Sequence, residues 1–164
     1  MRASLVDAFA DEQYQGNPAA VIVTPEGFPS ERRMQDIAGT LPVPTTAFVI
    51  PLSEDTYRIR WFTPEKELNV CGHATIATAW YLYEVVEIAD SGRLEFRTQH
   101  GPLYTMRTGR RITVDIPRVT TSPWEPPAEL ADALGADIVN CERAADDVLL
   151  ELESAEVIAD LAPP

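Results

Sequence analysis

Cysteine and histidine are scarce in this 164-residue chain, with two residues of each. Cys71 and Cys141 are too few for the disulfide framework of a small secreted domain, and neither they nor His73 and His100 have the spacing of a zinc site. No apolar run approaches the roughly 18 residues of a membrane span, and the N-terminus lacks the apolar core of a secretion signal. These absences predict a cytoplasmic protein with reduced thiols, no bound metal and no membrane partner.

Basic residues are also few. The chain has 13 Lys and Arg residues and 26 Asp and Glu residues, which gives a net charge of −13. This balance argues against nucleic acid and anionic membrane surfaces as partners. Residues 129–164 contain ten acidic residues and one basic residue, Arg143, so they carry −9 and leave −4 for residues 1–128. The first part of the chain can therefore still hold a site for a small anionic substrate.

The hydrophobic pattern changes repeatedly between the period of a strand and that of a helix. A helix is expected behind Ser30, which is a good N-cap, and a second helix over residues 73–86. Strands are predicted at residues 2–9, 19–23, 45–50, 56–62, 93–98, 103–107 and 111–117, the last three forming an antiparallel meander. Many strands with few helices, in no strict alternation, indicate an α+β fold.

A proline-rich segment, residues 119–127, predicts a linker. It separates a first domain, residues 1–118, from residues 128–164. In this second part a short helix is expected over Ala128–Leu134, strands near 138–141 and 148–152, and a helix behind Ser154. Thirty-odd residues cannot close a core of their own. The second part therefore resembles the start of a domain that stops early.

The most informative local motif is Cys71-Gly72-His73, where an extended segment turns into an alanine-rich helix. The first turn of a helix has free N–H groups and the positive end of the helix dipole, which together can hold a carboxylate or a phosphate. A thiol and an imidazole at the same point indicate proton transfer on a small anion. The structural alternative is a buried corner, with Gly72 needed for the turn and Cys71 as a small core residue.

Several separate motifs occur in a characteristic order along the chain: Val6-Asp7-Ala8-Phe9, Gly16-Asn17-Pro18-Ala19-Ala20-Val21, Thr46-Ala47-Phe48-Val49, Trp61-Phe62-Thr63-Pro64 and Cys71-Gly72-His73-Ala74-Thr75. With Thr98, Gly101, Asp115-Ile116-Pro117 and the tail from Ala133 to Leu152, this order resembles the PhzF-like family of phenazine-biosynthesis proteins. The resemblance implies a diaminopimelate-epimerase-like fold, in which each of two lobes wraps a curved, mostly antiparallel sheet around a central helix. Residues 1–118 would be the first lobe and residues 128–164 the truncated start of the second.

The same resemblance implies a homodimeric isomerase that moves a proton on a small carboxylate-bearing metabolite without a metal or organic cofactor. The active site would lie in the cleft between the lobes. The family positions that face the substrate fall on residues that would be catalytic (Thr45, His73 and Cys71) and residues that would bind substrate (Gly16, Asn17, Gly72, Ala74 and Thr75).

Two departures from the family pattern bear on catalysis. The proton-shuttling Glu of the family falls on Thr45, and a hydroxyl cannot take a proton near neutral pH unaided. Most of the second lobe is also missing. We therefore expect catalysis to be impaired. A further possibility is that Cys71 and His73 carry out a different proton transfer with an unusual base. The alternative is a non-catalytic, truncated or decayed paralogue that binds a small acid or pairs with another lobe.

Overall fold

A computed structural model of the chain describes residues 1–10, 15–88, 92–144 and 147–162. The chain divides into two compact units, Met1–Pro117 and Arg118–Pro164. The identification of these units with a first lobe, a linker and the start of a second lobe stays a prediction. Within the described residues, no helix combines the length and the apolar character that crossing a membrane requires.

The first unit is built on one eight-stranded mixed sheet. Its strands are β1 (Ser4–Ala8), β2 (Asn17–Val23), β3 (Thr45–Pro51), β4 (Thr56–Phe62), β5 (Glu67–Leu68), β6 (Arg93–Thr98), β7 (Gly101–Thr108) and β8 (Arg111–Asp115). The order across the sheet is β1-β2-β3-β4-β6-β7-β8, and β5 pairs with β4. The pairs β2–β3 and β4–β6 are parallel and the other pairs are antiparallel. The predicted α+β class and the predominantly antiparallel sheet are therefore confirmed.

The sheet curls around helix α2 (Gly72–Glu84), which contacts β1, β2, β3, β7 and β8. This close approach is possible because the buried side chains of the helix are small. Ala74, Ala77 and Ala79 are fully buried. The hydroxyls of Thr75 and Thr78 donate to the carbonyls four residues earlier, at 2.6 and 2.7 Å, so they enter the core without an unsatisfied polar group.

Helix α1 (Glu31–Thr40) covers the opposite face of the sheet. It begins as expected, because Ser30 Oγ accepts a hydrogen bond from the Arg33 N–H at 3.3 Å. Its apolar residues pack with Phe48 and Phe62, whose rings meet edge to face at a centroid distance of 5.6 Å. Strand β3 is therefore buried on both faces, which matches its nearly continuous apolar sequence.

A tight turn leads from β4 to the start of α2. Thr63 Oγ1 accepts hydrogen bonds from the N–H groups of Glu65 and Lys66, which reverses the chain after β4. The short strand β5 is then held against β4 by two hydrogen bonds of 2.6 Å from Arg60 to Glu67. These bonds also raise the pKa of Arg60 above its ordinary value. The turn and the ion pair together place residue 71 beside Thr45, at the beginning of the central strand β3.

The second unit contains a three-stranded antiparallel sheet and two short helices: β9 (Ser122–Pro123), α3 (Ala128–Leu134), β10 (Asn140–Ala144), β11 (Asp147–Glu151) and α4 (Ala155–Ala159). The expected helix behind Ser154 is confirmed, because Ser154 Oγ accepts from the Val157 N–H. Among the described residues of this unit, Cys141 alone is buried. The unit therefore buries very little apolar surface by itself.

The differences from the predicted elements are small. Helix α2 begins at Gly72 and ends at Glu84, two residues earlier than expected, and Glu87 then adopts a positive φ of 57° that no helix contains. The pattern missed β5, because two residues are too few to show alternation. It also missed β9, which pairs with β10 inside the segment predicted as a linker.

The core around α2 should dominate the stability of the first unit. Leu82 of α2 is 1% exposed, so we expect Leu82→Ala to lower the free energy of unfolding by about 2–5 kcal/mol. The matched control is Leu52→Ala, because Leu52 is 46% exposed and its truncation should change stability by no more than about 0.5 kcal/mol. Guanidinium denaturation followed by circular dichroism gives both values, and equal losses would contradict this description of the core.

Candidate functional site

Thr45, Cys71 and His73, the three predicted catalytic residues, come together where the central strand β3 begins. Thr45 is the first residue of β3 and is 3% exposed. Cys71 immediately precedes α2, and its Sγ lies 4.0 Å from Thr45 Oγ1. His73 is in the first turn of α2. The strand and the helix therefore bring a hydroxyl, a thiol and an imidazole into one cluster.

The closest contact in this cluster joins Cys71 and His73, with 3.4 Å between Sγ and Nδ1. Burial raises the pKa of the Cys71 thiol, although the Ala74 N–H and the Thr45 hydroxyl act in the opposite direction. Burial lowers the pKa of His73 below its ordinary value of 6.5. Both groups are therefore neutral at pH 7, and the thiol proton has two acceptors in reach, of which the imidazole nitrogen is the nearer.

The other ring nitrogen of His73 is available to a ligand. Nε2 is buried and makes no hydrogen bond within the described part of the chain. When Nδ1 accepts from the thiol, the neutral imidazole carries its proton on Nε2, which is then a donor. A buried donor without a partner costs free energy. A bound oxygen atom at Nε2 would recover that cost.

The start of α2 offers backbone donors beside these side chains. The Thr75 N–H already donates to the Cys71 carbonyl at 3.1 Å, and the Ala74 N–H acts on the Cys71 thiol. The N–H groups of Gly72 and His73 precede the first intrahelical donor. The side chains of Ala74 and Thr75 are fully buried, and the Thr75 hydroxyl also donates to the Cys71 carbonyl. Among the contacts described, the donors of both residues are thus already engaged with Cys71, and their assignment as substrate-binding residues stays a prediction.

Gly72 lies where a side chain would crowd Ile116, the residue that follows β8. A Cβ atom at residue 72 would lie 3.1 Å from Ile116 Cδ1, a separation tighter than ordinary van der Waals contact. The Ile116 side chain therefore lies close to the backbone at the start of α2. The prediction from sequence did not include Ile116 among the site residues, because an apolar residue after a strand shows no chemical signal.

Gly16 and Asn17 lie at the beginning of β2, next to the beginning of β3. Asn17 begins β2 two residues before Ala19, which pairs with Thr45 in the parallel register, and Asn17 is exposed. A Cβ at residue 16 would lie 2.4 Å from the Ala8 carbonyl oxygen, so the close approach of β1 requires glycine there. No direct contact joins Gly16 or Asn17 to Cys71 or His73 among the contacts described. Their assignment as substrate-binding residues therefore stays a prediction.

The cluster is not arranged as a metal centre. Within residues 1–10, 15–88, 92–144 and 147–162, no group of three or more His, Cys, Asp or Glu side chains is placed to hold a metal ion. His100, the second histidine, lies exposed in the turn between β6 and β7. Cys141, the second cysteine, is in β10 of the second unit.

Comparison with known proteins gives consistent similarities. Residues 6–164 match the family model described as "Phenazine biosynthesis-like protein". An uncharacterized isomerase of Pseudomonas aeruginosa is 41% identical over 96% of this chain and 60% of its own, and one of Halalkalibacterium halodurans is 36% identical over 97% and 60%. The crystal structure of a PhzF-family protein from Enterococcus faecalis superimposes with a TM-score of 0.83 at 35% identity, over 98% of this chain and 60% of that one. The chain thus spans about 60% of the length of these relatives.

The lowered pKa of His73 has a consequence for stability. As the pH falls, the unfolded chain takes up the proton at an ordinary pKa of 6.5, before the folded chain does. The contribution of His73 to the free energy of unfolding is therefore complete above pH 6.5 and is lost as the pH drops below that value. We expect His73→Gln to reduce the loss of unfolding free energy between pH 7.5 and pH 5, whereas the exposed His100→Gln should leave it unchanged. Denaturant unfolding at both pH values measures this, and an unaltered pH dependence in His73→Gln would show that the imidazole is not desolvated.

Proposed function

The chain belongs to the phenazine biosynthesis-like protein family, and on that premise we propose that its site transfers a proton on a small carboxylate-bearing metabolite, without a metal or organic cofactor. The observation that carries this proposal is the 3.4 Å contact between Cys71 Sγ and His73 Nδ1 at the free start of α2. A proton carrier and an anion-binding helix terminus then act on the same molecule. The relatives named as isomerases support this class of reaction.

The carboxylate of the substrate would bind to the N–H groups of Gly72 and His73 at the start of α2. The positive end of the dipole of this 13-residue helix favours a negative charge there. In this proposal Gly16 and Asn17 contact the substrate from β2. Nε2 of His73 donates to a second oxygen of the same molecule, since it lies buried and without a partner among the described residues.

The proton transfer would use the thiol and the imidazole as one unit. The Cys71 proton passes to His73 Nδ1, and the resulting thiolate takes a proton from a substrate carbon, assisted by a hydrogen bond from the Thr45 hydroxyl. The imidazolium then releases its hydrogen bond to the substrate oxygen and gives its Nε2 proton to another carbon of the substrate. The substrate has lost one proton and gained one. The imidazole is left in its other tautomer, which exchange with water resets.

Two further properties belong to this proposal. The protein would act in the cytoplasm, which suits two thiols that are both free. It would also pair as a homodimer. The net charge of −13 supports a small molecule, rather than nucleic acid, as the binding partner.

A second candidate function is binding of a small acid without turnover. The observation that favours it is the state of the Cys71 thiol and of the Thr45 hydroxyl beside it. Burial raises the pKa of Cys71, which opposes thiolate formation, and Thr45 has a hydroxyl that cannot act as a base near neutral pH. The two candidates differ in whether a bound acid exchanges a carbon-bound proton with water.

Deuterium exchange tests the catalytic candidate directly. A panel of small α-amino and unsaturated carboxylic acids is incubated with the protein in D₂O, and the C–H signals are followed by NMR. We expect exchange in at least one acid and a loss of about 10²–10⁴-fold in His73→Gln, since the unit then lacks its acid and base. His100→Gln is the matched control and should retain the full rate. Binding detected by line broadening without any exchange would favour the second candidate.

Thr45 offers a separate test of the proton-transfer assignment. We expect Thr45→Glu to raise the exchange rate, because a carboxylate beside the sulfur can take a proton that a hydroxyl cannot. Gln has nearly the same size as Glu but lacks its basic carboxylate oxygen, so Thr45→Gln should leave the exchange rate unchanged or lower it. Both variants are first checked for folding by circular dichroism. Equal rates in the Glu and Gln variants would remove Thr45 from the proposed mechanism.

A further inference from the structure

A small cavity lies in the middle of the sheet of the first unit, where two strands part. It has a volume of about 70 Å³ and is lined by residues 59–61 of β4, by residues 67–69 and by residues 98–100. A cavity of this size has room for roughly two to four non-hydrogen atoms. None of the residues that form the cluster of hydroxyl, thiol and imidazole lines it. It is therefore a second candidate site in the first unit.

The cavity is a gap in the pairing of β4. On the side away from β3, β4 pairs with β6 as far as Arg58 and with β5 from Trp61 onward. Among the described residues, Ile59 and Arg60 therefore have no strand partner on that side. β4 is an inner strand with β3 on its other side, so the gap lies within the sheet and not at an open edge.

The register shows that Ile59 turns its backbone groups toward this gap. The Val49 carbonyl accepts a hydrogen bond of 2.7 Å from the N–H of Thr24, the residue after β2, so the backbone groups of Val49 point toward β2. Ile59 is opposite Val49 in the antiparallel pair of β3 and β4. Opposite residues of such a pair either exchange two hydrogen bonds or exchange none, so the N–H and C=O of Ile59 point away from β3. The carbonyl, which lies beyond the last pair with β6, is an acceptor that faces the gap.

Trp61 supplies a buried donor to the same cavity. It is 1% exposed and lines the cavity. Its Nε1 makes no hydrogen bond with any described residue. An indole N–H can only donate, and a buried donor without a partner costs free energy. Trp61 Nε1 and the Ile59 carbonyl therefore give the cavity one donor and one acceptor for a ligand.

The charged side chains at the rim of the cavity are occupied with each other. Glu67 accepts two hydrogen bonds of 2.6 Å from Arg60 and one of 3.3 Å from Gln99. A carboxylate ligand could accept from Trp61 Nε1, but it would lie beside Glu67 and would leave the Ile59 carbonyl unpaired. An ammonium ligand has the opposite fault, because it can only donate. The cavity therefore favours a neutral ligand that accepts and donates at once.

We propose that this cavity binds a small primary carboxamide of the size of acetamide. The amide oxygen accepts a hydrogen bond from Trp61 Nε1, and the NH₂ group donates to the Ile59 carbonyl. The ligand takes the place of the peptide unit that is missing from the ladder where β5 and β6 part, since a carboxamide has the planar shape and the polar groups of a peptide bond. A hydroxyl compound has its donor and its acceptor on one atom and matches the two groups less well. The proposal is independent of the chemistry at Cys71 and His73.

The indole N–H signals of the ¹⁵N-labelled chain report on the cavity directly, because the chain has three tryptophans and only Trp61 lines the cavity. Acetamide is titrated into the full chain. We expect the Trp61 signal to move downfield and to saturate as the new hydrogen bond forms, while the signals of Trp80 and Trp124 show no saturable shift.

Three analogues of acetamide test the two hydrogen bonds. Acetate and N,N-dimethylacetamide cannot donate and ethylammonium cannot accept, so each should bind about tenfold more weakly than acetamide. Absence of a saturable Trp61 shift, the result expected if only water occupies the cavity, would overturn the proposal. Equal affinity for acetate or for ethanol would overturn it as well.

Two tryptophan variants test the donor separately. Trp61→Phe removes the indole N–H and should weaken binding about tenfold, measured by saturation-transfer NMR on the methyl group of acetamide. Trp80→Phe is the matched control, since Trp80 is 43% exposed and lies outside the cavity, and it should keep the full affinity. Thermal unfolding checks that both variants are folded. Equal affinities in the two variants would contradict the site, and if Trp61→Phe does not fold, the titration of the unaltered chain still decides.

Discussion

The burial of helix α2 inside its own sheet is the constraint on which the first unit depends. A helix can be surrounded on several sides by strands only if its side chains are small and its polar groups are satisfied. The alanines at 74, 77 and 79 meet the first condition. Thr75 and Thr78 meet the second, since each hydroxyl donates to a carbonyl of the preceding turn. Larger or charged residues at these positions would force the sheet away from the helix.

The same burial determines the chemistry at the start of the helix. The curled sheet buries Cys71 and half-buries His73, so the thiol holds its proton more tightly and the imidazole less tightly than in an exposed peptide. Two groups that are neutral at pH 7 are thus in contact, as the proposed proton transfer requires. The positive field at that point comes from the helix backbone, which leaves an anion as the natural ligand. The burial of α2 therefore underlies both the fold of the first unit and the pKa shifts of Cys71 and His73.

The sequence was a good guide where elements are long and periodic. β4 alternates clearly and was predicted with its observed bounds, and Ser30 caps α1 as expected. Prediction failed for β5, since its pairing comes from the Thr63 turn and the bonds between Arg60 and Glu67 rather than from a local pattern. At the site, Ile116 was missed because its contact with the Gly72 position depends on where β8 ends.

The amino-acid sequence by itself determined the local features: an alanine-rich helix that starts at a Cys-Gly-His corner, strands of two-residue period, and an excess of acid in the last part of the chain. Only the tertiary structure decided which of these features meet. Thr45 and Cys71 are 26 residues apart in the sequence, but the Cys71 sulfur lies 4.0 Å from the Thr45 hydroxyl. They meet because Thr45 is the first residue of β3, and the segment that follows β5 brings Cys71 to that end of the strand. Sequence patterns report periodicity along the chain, whereas strand register and sheet curvature place residues that no local pattern connects.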